Sequence, residues 1–202
     1  MLSIASIKAT FSDDFSIPNL EVEHMWVNEI YFDGISISGV LLNSPLFLKS
    51  ISKGDRVSFP LDRLDDWLCV IGSEIYGGYT IQTIRSKMND EEIQEHDAAW
   101  RLNFPTPDIV QIPERDPEFD ITIAEMMAEQ IKKQPELVNQ IYDDEGRTLL
   151  HLESLYGKIA SVKVLLEHGA SPKVKCDRGW TPLDYAKSIG WNSIIAVLEK
   201  AM

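Results

Sequence analysis

Only two cysteines, Cys69 and Cys176, occur in 202 residues, far apart and without other ligands at metal-binding spacing. That excludes a disulfide-stapled framework and predicts two packed thiols in a reducing compartment. Long hydrophobic runs are also missing. None reaches the roughly 18 residues of a membrane span, and no basic stretch followed by an apolar one opens the chain. A soluble, cytoplasmic protein is the expectation. Positive charge is scarce as well, with 19 Lys+Arg against 32 Asp+Glu and a net charge of −13. The deficit is concentrated: residues 1–119 hold 20 acidic and 9 basic side chains, net −11, and residues 120–202 hold 12 and 10, net −2. Such a surface disfavours nucleic acid and anionic membrane. It favours a basic protein partner, or it serves solubility alone.

Signature motifs of catalysis are absent. There is no phosphate-binding Walker loop, no Gly-x-Gly-x-x-Gly, no His-Glu-x-x-His and no Gly-x-Ser-x-Gly,. His24, His96, His151 and His168 are scattered. Gly77-Gly78 is too short to cradle a phosphate and suits a tight turn. Asp62, Asp65, Asp66 and Glu74 could pair as acid and base, but nothing in the sequence brings two of them to one site, and Asp65-Asp66 equally suits a loop before a strand. No constellation converges, so the expectation is a non-catalytic protein with no cofactor and no metal.

What is present divides the chain. Residues 2–11 alternate weakly as a first strand, and residues 13–19, with Pro18, read as a loop. Strand-like segments follow at 25–32, 35–42, 56–59 and 67–71, with Asp33-Gly34 as a hairpin signal between the first two. Residues 90–102 turn helix-like and acidic. The pattern predicts an α+β N-terminal domain built on a twisted, mostly antiparallel sheet with a helix. Residues 105–119 hold four prolines (Pro105, Pro107, Pro113, Pro117), which stop helix and sheet and predict a stiff connector,. Ile109, Val110 and Ile112 within it suggest that it packs against something.

Five short motifs in order carry a resemblance over residues 23–104. They are Met25-Trp26-Val27, Gly39-Val40-Leu41-Leu42-Asn43-Ser44-Pro45, Lys53-Gly54-Asp55-Arg56-Val57, Asp66-Trp67, and Gly77-Gly78-Tyr79-Thr80-Ile81 with Arg85. Together they resemble the bacterial family of domain of unknown function 2314. The resemblance implies a fold and a bacterial origin and brings no reaction with it.

Residues 120–202 contain a period. Gly146-Arg147-Thr148-Leu149-Leu150-His151 recurs 33 residues on as Gly179-Trp180-Thr181-Pro182-Leu183-Asp184, and Gly157, Val162 and Leu165 recur as Gly190, Ile195 and Leu198. A fixed offset across turn and helix positions signals stacked repeats. With Leu165-Leu166-Glu167-His168-Gly169-Ala170, this pattern resembles the ankyrin repeat, so an all-α ankyrin-repeat solenoid should follow the α+β domain. Thr148 and Thr181 suit helix N-caps, Pro182 the first helical turn, and Gly157, Gly169 and Gly190 helix ends. The resemblance gives His151 a hydrogen-bonding role between turns. Helices at 121–133, with Ile123, Met126, Met127 and Ile131 inward, and at 135–142 should form a leading cap. Glu153 departs from the pattern, since the next repeat has Ala186 there. It should point to an edge or meet the N-terminal domain or its connector, because a buried unpaired carboxylate is costly.

The functional reading is protein binding. Ankyrin stacks present hairpin tips and first helices as one surface, here Asp144, Glu145 and Arg147 on one tip and Arg178 and Trp180 on the next. Trp180 beside Arg178 has hot-spot composition, with packing against the N-terminal domain as its alternative. Tyr156 and Trp191 border the helix-ending glycines with the same ambiguity. Asp65 and Asp66 would supply acidic contacts. The most concrete version is a bacterial immunity protein, an antitoxin that neutralises a basic toxin such as a nuclease by occlusion. The alternative is a regulatory or scaffold ankyrin protein with no toxin partner.

Overall fold

The computed structural model describes residues 2–16, 21–107, 109–113 and 116–202, and everything structural below concerns these. Pro18 and Asn19 of the expected loop, and Asp108, Glu114 and Arg115 of the expected connector, lie outside them. The chain divides into two compact units, Met1–Glu114 and Arg115–Met202. No helix among the described residues is long and apolar enough to cross a membrane.

In the first unit, strands β1 (Leu2–Phe11), β2 (Glu23–Phe32), β3 (Ser36–Leu41), β4 (Arg56–Pro60), β5 (Leu64–Ile71) and β6 (Glu74–Gly77) form one sheet. Its order is β4-β3-β2-β1-β5-β6, with antiparallel neighbours throughout. The β2–β3 turn is fixed by Asp33, whose Oδ1 accepts the amides of Ile35 and Ser36 at 2.8 and 2.7 Å. Side chains alternate between faces at the two-residue period of a strand. Ile7, Ala9, Met25, Val27, Ile37 and Phe59 build one core with Leu48, whereas Trp26, Leu68, Val70 and Ile75 build a second with Ile81.

Ile81 belongs to α1 (Tyr79–Arg85), which, like β6, has too little periodicity to be read from sequence. After α1 comes α2 (Asp90–Trp100), opened by Asn89 in a reciprocal capping box with Glu92,. Helix α2 buries no residue fully. It is held instead by Arg85, whose guanidinium is 2% exposed and grips Asp97 with two hydrogen bonds of 2.9 and 2.8 Å. The same guanidinium donates to Gln82 Oε1 at 2.6 Å and to the Pro105 carbonyl at 2.7 Å. A forked, always-charged donor can satisfy all three at once.

The proline-rich stretch packs onto this unit through its backbone. Gln111 O accepts from Gly77 N at 2.9 Å, and Ile109 O accepts from Gln82 Nε2 at 3.0 Å. Of the side chains expected to do the packing, Ile109 and Ile112 are exposed and Val110 is half-buried. Nor does Pro117 belong to a connector: it opens α3 (Pro117–Lys133), whose N-cap Asp116 accepts the amides of Glu118 and Phe119,.

The second unit continues with a 3-10 turn (Pro135–Asn139), then α4 (Leu149–Leu155), α5 (Ile159–Glu167), α6 (Pro182–Ile189) and α7 (Asn192–Ala201). The turn replaces the helix expected over 135–142, because Ile141 pairs in a β-bridge with Thr148 and pulls the chain into a hairpin. Ala124 and Ile131 form the inner face of α3, and Met126, expected there, is exposed. The core of the stack repeats with the 33-residue offset: Leu150 and Leu183, and Leu165 and Leu198, are all buried. Thr181 caps α6 by accepting from Asp184 N, and Asp184 returns the bond to Thr181 N. His151 replaces that acid in α4. Its Nδ1 accepts Thr148 N–H at 3.1 Å, so its Nε2 donates to the Trp180 carbonyl of the next turn at 3.1 Å. Burial pushes the imidazole's pKa down, consistent with this neutral bridging form,.

Candidate functional site

Two hairpin tips, residues 143–147 and 176–180, are bonded internally and to each other. Asp143 organises the first. Its carboxylate accepts the amides of Glu145 and Arg147 at 3.0 and 3.1 Å and Arg147 Nε at 2.7 Å. Burial works to raise the Asp143 pKa, but these bonds outweigh it and hold the carboxyl below its ordinary value. Arg147 is therefore no surface contact: it is 3% exposed, and its second arm reaches Glu145 Oε2 at 3.5 Å. Its place among tip residues suggested exposure, but the hairpin curls over it.

The tips are stapled to each other. Asp177 N donates to the Glu145 carbonyl at 3.0 Å, and Arg178 approaches Glu145 Oε2 at 3.8 Å. Gly146 makes the approach possible. It has φ of 70°, and a Cβ there would lie 2.4 Å from Asp177 Oδ1. Trp180 is half-buried, its ring edge-on to Tyr185 at 5.1 Å, with the Arg178 guanidinium 5.7 Å from its centroid. Beneath it Tyr185 is buried beside Cys176 Sγ at 3.5 Å, and burial raises its phenol's pKa well above the ordinary value. Asp144, Glu145, Arg178 and Trp180 thus share one surface on a braced foundation.

Tyr156 and Trp191 lie elsewhere, past the far end of α4, about 10 Å along its seven residues,. Trp191 is a stacking residue. Its Nε1 donates to the Leu155 carbonyl at 2.9 Å, and its ring lies where a Cβ on Gly157 would meet it at 2.6 Å. Tyr156 is 47% exposed. Glu153 is buried in the repeat unit, 8% exposed, and its charged neighbours are Lys158, just before α5, and Asp120 of α3. It therefore does not point to an edge. Its Oε2 and the nearby Ser161 Oγ are both buried without a formed hydrogen bond; burial raises the Glu153 pKa, the proximity of Ser161 and Lys158 opposes the rise, and Asp120 adds to it.

In the first unit Asp65 and Asp66 sit inside β5, on opposite faces of the strand, and do not act as a pair. Asp65 is exposed; it accepts Thr10 Oγ1 at 2.9 and 3.0 Å and lies 2.8 Å from His24 Nδ1, tying three strands together. Asp66 is 2% exposed and fully engaged. It accepts the amides of Trp67, Tyr79 and Thr80 and the Thr80 hydroxyl, the last two at 2.7 Å, and so anchors the start of α1. It is a structural carboxylate whose lone pairs are occupied within the first unit. Sequence reasoning missed a comparable pair, Asp13 and Glu23, which hold residues 46–50 by their backbone amides. Their only advance signal is acid density.

Comparison with known proteins follows this division. The family described as "Uncharacterized protein conserved in bacteria (DUF2314)" matches residues 1–104, and ankyrin repeats (many copies) match residues 137–186. A putative ankyrin repeat protein of Neisseria meningitidis serogroup B is 34% identical over 207 residues, spanning 98% of this chain and 81% of that protein. The uncharacterized protein YegJ of Escherichia coli is 29% identical over 73 residues, 36% of this chain and 48% of that protein. Among solved structures, a predatory endopeptidase from Bdellovibrio bacteriovorus in complex with an immunity protein aligns at 25% identity. That alignment covers 55% of this chain and 57% of that one, at a TM-score of 0.35, so the two folds are only loosely alike. The chain belongs to the bacterial DUF2314 family and carries ankyrin repeats behind the DUF2314 region.

Proposed function

We propose that this chain is a non-catalytic protein-binding protein, and most concretely an immunity protein that neutralises a basic toxin by occluding it. Ankyrin repeats are protein-binding modules, and their presence carries the general reading,. The finer reading is supported by charge: the net −11 over residues 1–119 would steer association with a basic enzyme such as a nuclease,. Asp144, Glu145, Arg178 and Trp180 are the repeat contacts we assign, with Asp65 on the acidic unit. Trp180 offers a large, rigid side chain already braced by Tyr185, so little ordering entropy is lost when it is covered,.

Capture of the tagged full chain from its native host, with a salt wash and mass spectrometry, tests this. One basic partner that is toxic when expressed alone and harmless when co-expressed with this chain is the expected result. A set of unrelated partners, or none, would instead favour a regulatory or scaffold protein whose acidity serves solubility.

A further inference from the structure

Five consecutive backbone N–H groups, residues 46–50, are all taken by two carboxylates, Asp13 of the β1–β2 connection and Glu23 at the start of β2. Glu23, 9% exposed, accepts Leu46 N at 2.8 Å, Phe47 N at 2.9 Å and Leu48 N at 3.0 Å. Asp13 accepts Lys49 N and Ser50 N, each at 3.0 Å, and the Ser50 hydroxyl at 2.6 Å. Burial works to raise the Glu23 pKa, but its three amides outweigh this, and Asp13 is lowered by Ser50 and Lys49. Both clamps are therefore ionised at neutral pH. Leu48 is buried and seats the loop in the core of the first unit. The five donors are all occupied, and the two side chains before Leu48 are exposed.

Leu46 is 88% exposed and Phe47 43%, while the next most exposed large apolar side chain among the described residues, Tyr142, is 67%. A single surface leucine needs no explanation. Two adjacent apolar side chains on a loop whose backbone is fixed from outside are different, because a pre-ordered anchor loses little conformational freedom when it docks. The surroundings specify the partner's charge. Residues 12–23 hold Asp13, Asp14, Glu21 and Glu23 against Lys49 in residues 43–50 and Arg63, whose guanidinium lies 3.7 Å over the Phe15 ring, so the surroundings keep a net negative charge, with Asp14 and Glu21 exposed.

We propose that Leu46 and Phe47 form a rigid apolar anchor that docks into an apolar cleft on a basic protein, with the exposed carboxylates Asp14 and Glu21 matching the cleft's positive rim. This rests on the protein-binding reading above and adds the anchor on this chain.

The test uses the basic partner recovered with the full-length wild type, purified and titrated by calorimetry. Leu46→Asp combined with Phe47→Ser should weaken binding at least tenfold, while Leu46→Met should leave it within twofold. Neither change should move the melting temperature, because both side chains are exposed. An unchanged Kd in the double variant would overturn the anchor and leave the protein-binding reading standing. Failure of the wild type to hold any basic partner would overturn both. Should the double variant melt early, hydrogen exchange of the Leu46–Leu48 amides in the wild-type complex decides: slowed exchange supports docking and unchanged exchange refutes it.

Discussion

Glu153 is where the ankyrin pattern and the chemistry of burial conflict, and replacing it should stabilise the protein. The next repeat has Ala186 at the equivalent position, 0% exposed, so Glu153→Ala restores the residue this packing environment accepts one repeat later. Leaving a buried polar atom unsatisfied costs about 1–3 kcal/mol, and Glu153 Oε2 is such an atom. The substitution also removes one buried methylene, a loss of about 0.8 kcal/mol. A net gain of about 1 kcal/mol at pH 7 follows, which raises the melting temperature by about 4–8 °C in a unit of this size. The pH dependence identifies the cause. Glu153 has a folded-state pKa raised above its ordinary 4.5, so the native state holds the proton more tightly than the unfolded one,. Wild-type stability is full below pH 4.5 and falls as pH climbs through the raised value. The advantage of Glu153→Ala should therefore be largest at pH 7–8 and shrink towards pH 4. Urea melts across that range, with Glu153→Gln as a same-shape control lacking the titration, measure this directly. A Glu153→Ala variant destabilised equally at pH 4 and pH 7 would refute the reasoning, because the side chain would then contribute through packing.

The other expectations concern how the two units are held. Gly157→Ala and Gly169→Ala both force a residue into positive φ (73° and 90°), but only at Gly157 does the added Cβ meet the Trp191 ring. Thermal melts should show about 1 kcal/mol lost at Gly169, and at least about 1 kcal/mol more at Gly157; equal losses would mean that Trp191 moves aside freely. Arg85→Ala removes both Arg85 bonds to Asp97, which keeps His96 at 3.0 Å, and the bonds to Gln82 and the Pro105 carbonyl, and should cost about 2–4 kcal/mol, read as early unfolding of the first unit by tryptophan fluorescence in urea,. A variant within 1 kcal/mol of wild type would show that α2 is held by something else.

The repeat unit was legible because its signal is a period. Thr181, Leu183 and Gly190 each answer a like residue 33 positions earlier and occupy the expected cap, core and helix end, and Pro182 takes the expected first turn. Strands β1 to β4 were legible by alternation and turn residues, since Asp33-Gly34 makes its hairpin from a local bond. What sequence could not give was contact at a distance. Asp66 looked like a loop carboxylate because its partners, Tyr79 and Thr80, lie thirteen and fourteen residues on, in a helix too short to show periodicity. Arg147 looked exposed because a tip composition does not reveal that Asp143 folds back over it. Glu153 was recognised as anomalous, but its neighbours in α3 and α5 could not be assigned before the helices were stacked.

The central claim is that the acidity of residues 1–119 serves recognition of a basic protein. Stopped-flow association of the full chain with its purified partner, from about 0.02 to 0.5 M salt, tests it most directly. The association rate should fall by about ten- to a thousandfold as the Debye length shrinks, with a much smaller change in dissociation. A rate flat across that range would contradict it, and the −11 charge would then be a device for solubility.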